Sequence, residues 1–174
     1  HTLLSCAYSH ASGWHLFGNM VTLYFFGSTV LAVLGPAKFF MFYNASAVVS
    51  SVAQAVQPYY YSTVRKYKKS AGTLDSSWVR NWWGNSDMHT RSLGASGAVS
   101  AVVMTSIALF PKQVVYFYGF IPIPATLFGI GYIVKDMIGL SDSSSSIGHA
   151  AHLGGAACGI AYGAMTVLKL RKGR

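Results

Sequence analysis

The stretch HAAHLGGAACGIAYGAM, residues 149–165, holds two histidines and no formally charged side chain. Ala151, Gly155, Gly159 and Gly163 recur at every fourth position, so on a helix they line one face. In lipid, a stripe of small residues lets helices pack closely, because a leucine gains little by exchanging a lipid tail for a protein neighbour. The stretch therefore reads as a membrane helix packed against other helices, and its small residues place it at the centre of a bundle.

Working outward, the run extends to Leu168, about the 20 residues that a ~30 Å hydrocarbon core requires. Four more windows meet or approach that length: 14–34, ending at Gly35-Pro36; 39–57, ending at Pro58; 93–110, ending at Pro111; and 113–134. Pro122 and Pro124 kink the last of these or delay its start. The predicted fold class is all-α, a polytopic transmembrane helix bundle with five spans at 14–34, 39–57, 93–110, 113–134 and 149–168. Residues 58–92, with Arg65, Lys66, Lys68, Lys69, Arg80 and Arg91, read as a long extramembrane loop. The serine-rich segment 141–148 reads as a cap over the end of the last span.

Composition agrees. The chain has 174 residues, 52% hydrophobic and 10% charged, and its mean hydropathy of +0.40 is too apolar for an ordinary soluble domain. Thirteen Lys and Arg against four Asp and Glu give +9. The basic residues lie between apolar runs, as lipid-flanking anchors do, and form no folded basic face for nucleic acid. The two cysteines, Cys6 and Cys158, are too few for a disulfide framework and read as free thiols. The chain opens on His1 with no visible leader, which suggests an upstream portion.

Successive spans alternate direction, so the starts of the first, third and fifth face one side of the membrane. The first start holds His15 and Asn19, at i and i+4; the third holds Ser96; the fifth holds His149 and His152. Polar groups inside a membrane are costly enough to be read first as functional. A serine becomes a nucleophile when a neutral imidazole takes its proton, which pairs Ser96 with His152. The oxyanion formed by attack on a carbonyl needs donors, and the Asn19 amide, the His15 ring and the Ser96 backbone N–H are candidates. Gly94 and Gly97 allow close backbone approach around the serine.

A serine beside glycine in a membrane helix also serves packing alone. The motif is not the G-x-S-x-G elbow of soluble hydrolases, because Ala98 fills the last glycine position and no strand precedes it. Asp136 and Asp142 fall at the edges of the loop before the fifth span, so neither is placed to orient His152, and the economical mechanism is a Ser-His dyad. Histidines could also hold a metal, and His149 and His152 at i, i+3 could clamp one. However, the chain has no H-E-x-x-H and no Glu, so no metal or cofactor is expected.

SHASGWHLFGN at 9–19, GASG at 94–97 and AHLGGAACG at 151–159 together resemble rhomboid intramembrane serine proteases, through the motifs H-x-x-x-N, G-x-S-G and A-H-x-x-G-x-x-x-G. The resemblance covers His10 to about Leu168. It implies Ser96 as nucleophile, His152 as base, and His15 with Asn19 as oxyanion donors, with Gly94, Gly97 and His149 in support. It further implies a six-span core whose first span is absent here, cleavage of transmembrane protein substrates within the bilayer, and no cofactor or nucleic-acid partner. Oligomeric state is not indicated.

Two departures stand out. Many bacterial members place an aromatic residue one turn after the serine, against the catalytic histidine, where this chain has Ser100; they often carry Asn where this chain has His149. SLGASGA, HAAHLGG and FPKQVVYFYGFIPIPA most resemble the mitochondrial, presenilin-associated rhomboid-like branch, which implies the inner mitochondrial membrane. Basic residues fall on both sides of the spans, so charge does not fix orientation. The alternative is an inactive rhomboid-like protein that binds membrane clients; such proteins usually lack the serine or the histidine, and both are present here.

Overall fold

The computed structural model describes residues 2–70, 95–117, 120–140 and 147–173. A short helix α1 (Thr2–Ser5) and a single 3-10 turn (Cys6–Tyr8) lead into the first long helix, α2 (Gly13–Leu34). Ser12 starts α2 by accepting a hydrogen bond from the His15 backbone N–H at 3.2 Å. Gly35, at φ 75°, ends it in a conformation that a residue with a side chain rarely adopts. Pro36 then opens α3 (Pro36–Ser70) at the first helical position, where its missing N–H costs nothing.

Helix α3 runs through Pro58, where the sequence suggested an end, and its last part lies in the segment read as loop. One proline removes one backbone hydrogen bond, and a helix already nucleated and packed over its first turns outlasts that loss. Its apolar portion, Pro36–Gln57, is long enough to cross a membrane, as are α2 and the last helix, α6 (His149–Lys172).

Between them lies α4 (Ser96–Leu109), apolar but only 14 residues long. Every residue from Gly97 to Ile107 is buried, so α4 and not α6 is the centre of the bundle. The small-residue stripe does bury, but it covers only one face of α6, whose Ile160, Met165 and Leu168 are exposed. Together with Trp14, Tyr24 and Phe25 of α2 and Phe40 and Met41 of α3, these residues form the apolar exterior that suits lipid.

The stripe works by contact with α4. A Cβ at Gly155 would collide with the carbonyl of Gly97, and one at Gly159 with the backbone of Ala101. The Thr105 hydroxyl donates to the Gly159 carbonyl at 3.0 Å, adding a polar tie between helices already in backbone contact. Between α3 and α6, Phe42 stacks on Tyr162 at 4.4 Å.

The region read as a fourth span from 113 to 134 is different. Val114–Phe117 (β1) and Ile121–Pro124 (β2) form an antiparallel hairpin, with Val114 opposite Pro124 and Phe117 opposite Ile121. Pro122 and Pro124 are two residues apart and so share one pairing type; a missing N–H is tolerated where that position faces away from the partner strand. Helix α5 (Ala125–Gly139) begins only after them and reaches five residues beyond the expected end at Val134. Cys6 and Cys158 are both free, Cys6 against Ser51 and Cys158 against Ser46.

Candidate active site

Because α2, α4 and α6 begin at the same end of the bundle, their first turns bring the predicted polar residues together. Ser96 is the first residue of α4 and part-buried; His152 lies in the first turn of α6 and is buried. The Ser96 Oγ stands 2.9 Å from Nε2 of His152. This pair depends on the glycine contact just described, since Gly97 follows the serine and Gly155 lies three residues after the histidine. A side chain at Gly155 would force the two helices apart, and one at Gly97 would strike Ser50 of α3 and crowd the Ala151 carbonyl of α6.

The start of α6 has no side chain at its own cap position, Gly148. Gln54 of α3 supplies the missing acceptor: its Oε1 takes the Ala151 backbone N–H at 3.1 Å, buried between the helices. The turn that carries His149 and His152 is thereby fixed from a third helix.

Asp136 is the residue that sequence reasoning misplaced. It is fully buried in the last turn of α5, at 0% exposure. Its Oδ1 is 2.7 Å from Nδ1 of His149, and both its oxygens lie 3.2 Å from Nδ1 of His152. The expected dyad therefore has a carboxylate behind its histidine. A sequence signal existed: Asp136-x-x-Gly139 and His149-x-x-His152 share a spacing of three, and the Gly139 backbone gives room for the His149 ring, which a Cβ there would strike. Ligand atoms of Asp136, His149 and His152 all lie within 4.8 Å of one another, a spacing that a metal ion could bridge. Here each imidazole Nδ1 faces the carboxylate directly.

The absent aromatic after the serine is replaced from another helix. Tyr132 of α5 lies beside the His152 ring, centroids 6.0 Å apart and planes inclined by 31°. Its hydroxyl hydrogen-bonds Ser100, whose own hydroxyl donates to the Ser96 carbonyl at 2.7 Å. Ser100 thus holds the ring that its own position lacks.

On α2, which packs against α4, His15 and Asn19 occupy the first two turns. The His15 ring meets His10 edge-on at 5.5 Å and is close enough to His152 to interact electrostatically. Asn19 is 7% exposed, and its Nδ2 is buried without a hydrogen-bond partner among the described residues. A buried, unused donor is costly unless something else occupies it. Gly94 and residues 141–146 of the expected cap lie outside the described residues.

A family model described as the rhomboid domain matches residues 1–169. The chain belongs to the rhomboid family. Among curated proteins it is 36% identical over its whole length to the RHOMBOID-like protein 12, mitochondrial, of Arabidopsis thaliana, of which it covers 47%. It is 30% identical over 93% of its length to Rhomboid protein 1, mitochondrial, of Saccharomyces cerevisiae, covering 40% of that protein. It is 28% identical over 92% of its length to the presenilin-associated rhomboid-like protein, mitochondrial, of Homo sapiens, covering 36%. This rhomboid chain thus spans less than half the length of these relatives. No solved structure matches it.

Proposed function

We propose that this rhomboid chain is an intramembrane serine endopeptidase that cleaves transmembrane protein segments, and that it works in the mitochondrial inner membrane. One observation carries the reading: a serine hydroxyl 2.9 Å from an imidazole nitrogen, at the buried end of a membrane bundle where packing alone needs neither group. Retention of both groups in bonding geometry also weighs against an inactive client-binding protein. The location rests on the relatives, whose names are mitochondrial.

The mechanism follows from the geometry. The Ser96 oxygen attacks the scissile carbonyl as its proton passes to Nε2 of His152. The carbonyl becomes a tetrahedral oxyanion, for which the donors we assign are the Asn19 amide, whose Nδ2 is buried without a partner among the described residues, the His15 ring and the Ser96 backbone N–H. His152 then gives its proton to the leaving amine as the C–N bond breaks. Water, deprotonated in turn by His152, attacks the acyl carbonyl, and the proton passes from His152 to the Ser96 oxygen as the C–O bond breaks and the new carboxyl group leaves.

Water access has a structural basis. Helix α4 has 14 residues, so it rises about 21 Å, less than the ~30 Å hydrocarbon core that its longer neighbours cross. Ser96, at its first position, pairs with His152, which lies three residues, about 4.5 Å, inside the start of α6.

Ser96→Ala tests the reading. The variant should fold as the wild type does, lose all cleavage of a reconstituted transmembrane substrate, and take up no fluorophosphonate. Undiminished proteolysis by Ser96→Ala, or a wild-type protein inert to both substrate and probe, would refute the assignment.

A further inference from the structure

A carboxylate with no solvent exposure inside an apolar bundle is expensive unless its oxygens are fully engaged. Asp136 meets that condition. The Oδ1 atom receives His149 at 2.7 Å and the Lys135 ammonium at 3.3 Å, while His152 lies at 3.2 Å from both oxygens. Lys135 reaches in from a side chain that is 56% exposed. Two of these three partners are imidazoles from one turn of another helix.

An ionised carboxylate only accepts hydrogen bonds, so each imidazole must donate through Nδ1–H. For His152 that fixes the tautomer. With the proton on Nδ1, the Nε2 atom carries the lone pair, and Nε2 is the atom that faces the Ser96 hydroxyl at 2.9 Å. The opposite tautomer would point an N–H at the serine and leave no base.

We propose that Asp136 and His149 are positioning residues for His152, so that this rhomboid works with a Ser96-His152-Asp136 triad, in which His149 clamps the carboxylate, and not with a dyad. This inference rests on the proteolytic reading above. During acyl transfer the Ser96 proton moves to Nε2, the Nδ1 proton stays on His152, and Asp136 remains a carboxylate facing the imidazolium. His149 acts one step removed: seated over Gly139, it holds the Asp136 side chain of α5 against α6. Because His149 bears on His152 through Asp136, that contribution disappears when the carboxylate is gone.

The test uses the purified protein in liposomes and a fluorophosphonate probe, with the limiting inactivation rate and the probe affinity measured separately. Asp136→Asn should lower the limiting rate about 10³- to 10⁴-fold with the affinity unchanged, because the amide turns the imidazole to the wrong tautomer. His149→Asn should lower it roughly 10-fold, and the double variant should be no slower than Asp136→Asn alone.

Wild-type rates in Asp136→Asn, or additive losses in the double variant, would overturn the proposal. If Asp136→Asn fails to fold, nitrogen NMR of the wild type decides instead, with the His152 signals assigned by their loss in His152→Ala. A proton on Nδ1 supports the proposal, and a proton on Nε2 overturns it. A divalent ion carried by the purified protein, removed by chelator and lost in His149→Asn, also overturns it, since the same nitrogens cannot serve both. A wild type that takes no probe at all refutes the proteolytic reading; a labelled wild type with undiminished Asp136→Asn refutes only the triad.

Discussion

Replacing Gly155 by Ala adds one methyl group at the point where α4 and α6 touch. Its carbon would lie 2.9 Å from both the Gly97 carbonyl carbon and the Ser50 hydroxyl oxygen, and closer still to the Gly97 oxygen. Ordinary carbon contacts are about 3.5–4.0 Å, so the helices must separate by on the order of 1 Å. The Ser96–His152 distance would grow from 2.9 Å by a similar amount, past the ~3.2 Å reach of a good hydrogen bond. Overpacking of this kind costs about 1–3 kcal/mol of stability, and a misplacement of about 1 Å costs roughly 10²-fold in rate.

Gly163→Ala is the matched control. Its methyl would meet the Ala108 Cβ at 2.6 Å, so a comparable strain is imposed on the same stripe. That contact lies 11 residues beyond His152, about 16 Å along the helix. Both variants should therefore melt earlier than the wild type, while only Gly155→Ala loses fluorophosphonate labelling, by about 10²-fold. Equal labelling of the two variants, whether both fast or both slow, would refute the claim that this one contact sets the reacting distance.

Asn19→Ala should lower the turnover rate by roughly 10²–10³ while leaving thermal unfolding unchanged, because the deleted amide has no partner to lose; wild-type turnover would remove Asn19 from the oxyanion site. Gln54→Met keeps length and removes the acceptor for the Ala151 N–H, which costs about 1–3 kcal/mol for a buried donor left unpaired. An unshifted unfolding midpoint for Gln54→Met would show that the cap between helices contributes nothing.

The sequence carried the approach of Ser96, His149 and His15 to His152 because it depends only on helices alternating direction, and small errors in helix ends do not disturb it. The contact stripe was legible for a similar reason, as a spacing of four needs no tertiary information. What stayed hidden were features set by more distant neighbours. The central place of α4 is one: its even hydrophobicity differs little from that of a lipid-facing run, and only the packing of other helices around it decides. Tyr132 is another, since a ring that reaches His152 from a different helix leaves no periodic trace. Asp136 was misplaced for a local reason. The apolar run 113–134 fills a membrane span if counted from its first residue, which leaves the aspartate in the following loop. The alternating prolines 122 and 124 go with a hairpin over the first half of that run, and the helix that follows ends later.

The hairpin therefore bears on the site from the far end of the bundle. The Ala125 N–H is held by the Gln113 carbonyl at 2.9 Å, which ties the first residue of α5 to the turn that follows α4. From that fixed start, Asp136 follows 11 residues on, about 16 Å deeper and three turns round. One residue gained or lost between Ala125 and Asp136 would rotate the carboxylate by about 100° relative to α6, away from both imidazoles. Two separate devices thus hold His152: glycine contact between α4 and α6 sets its distance from the serine, and the register imposed by the hairpin sets the carboxylate behind it. The first can be read from neighbouring residues in the sequence, whereas the second depends on where a helix two elements away begins.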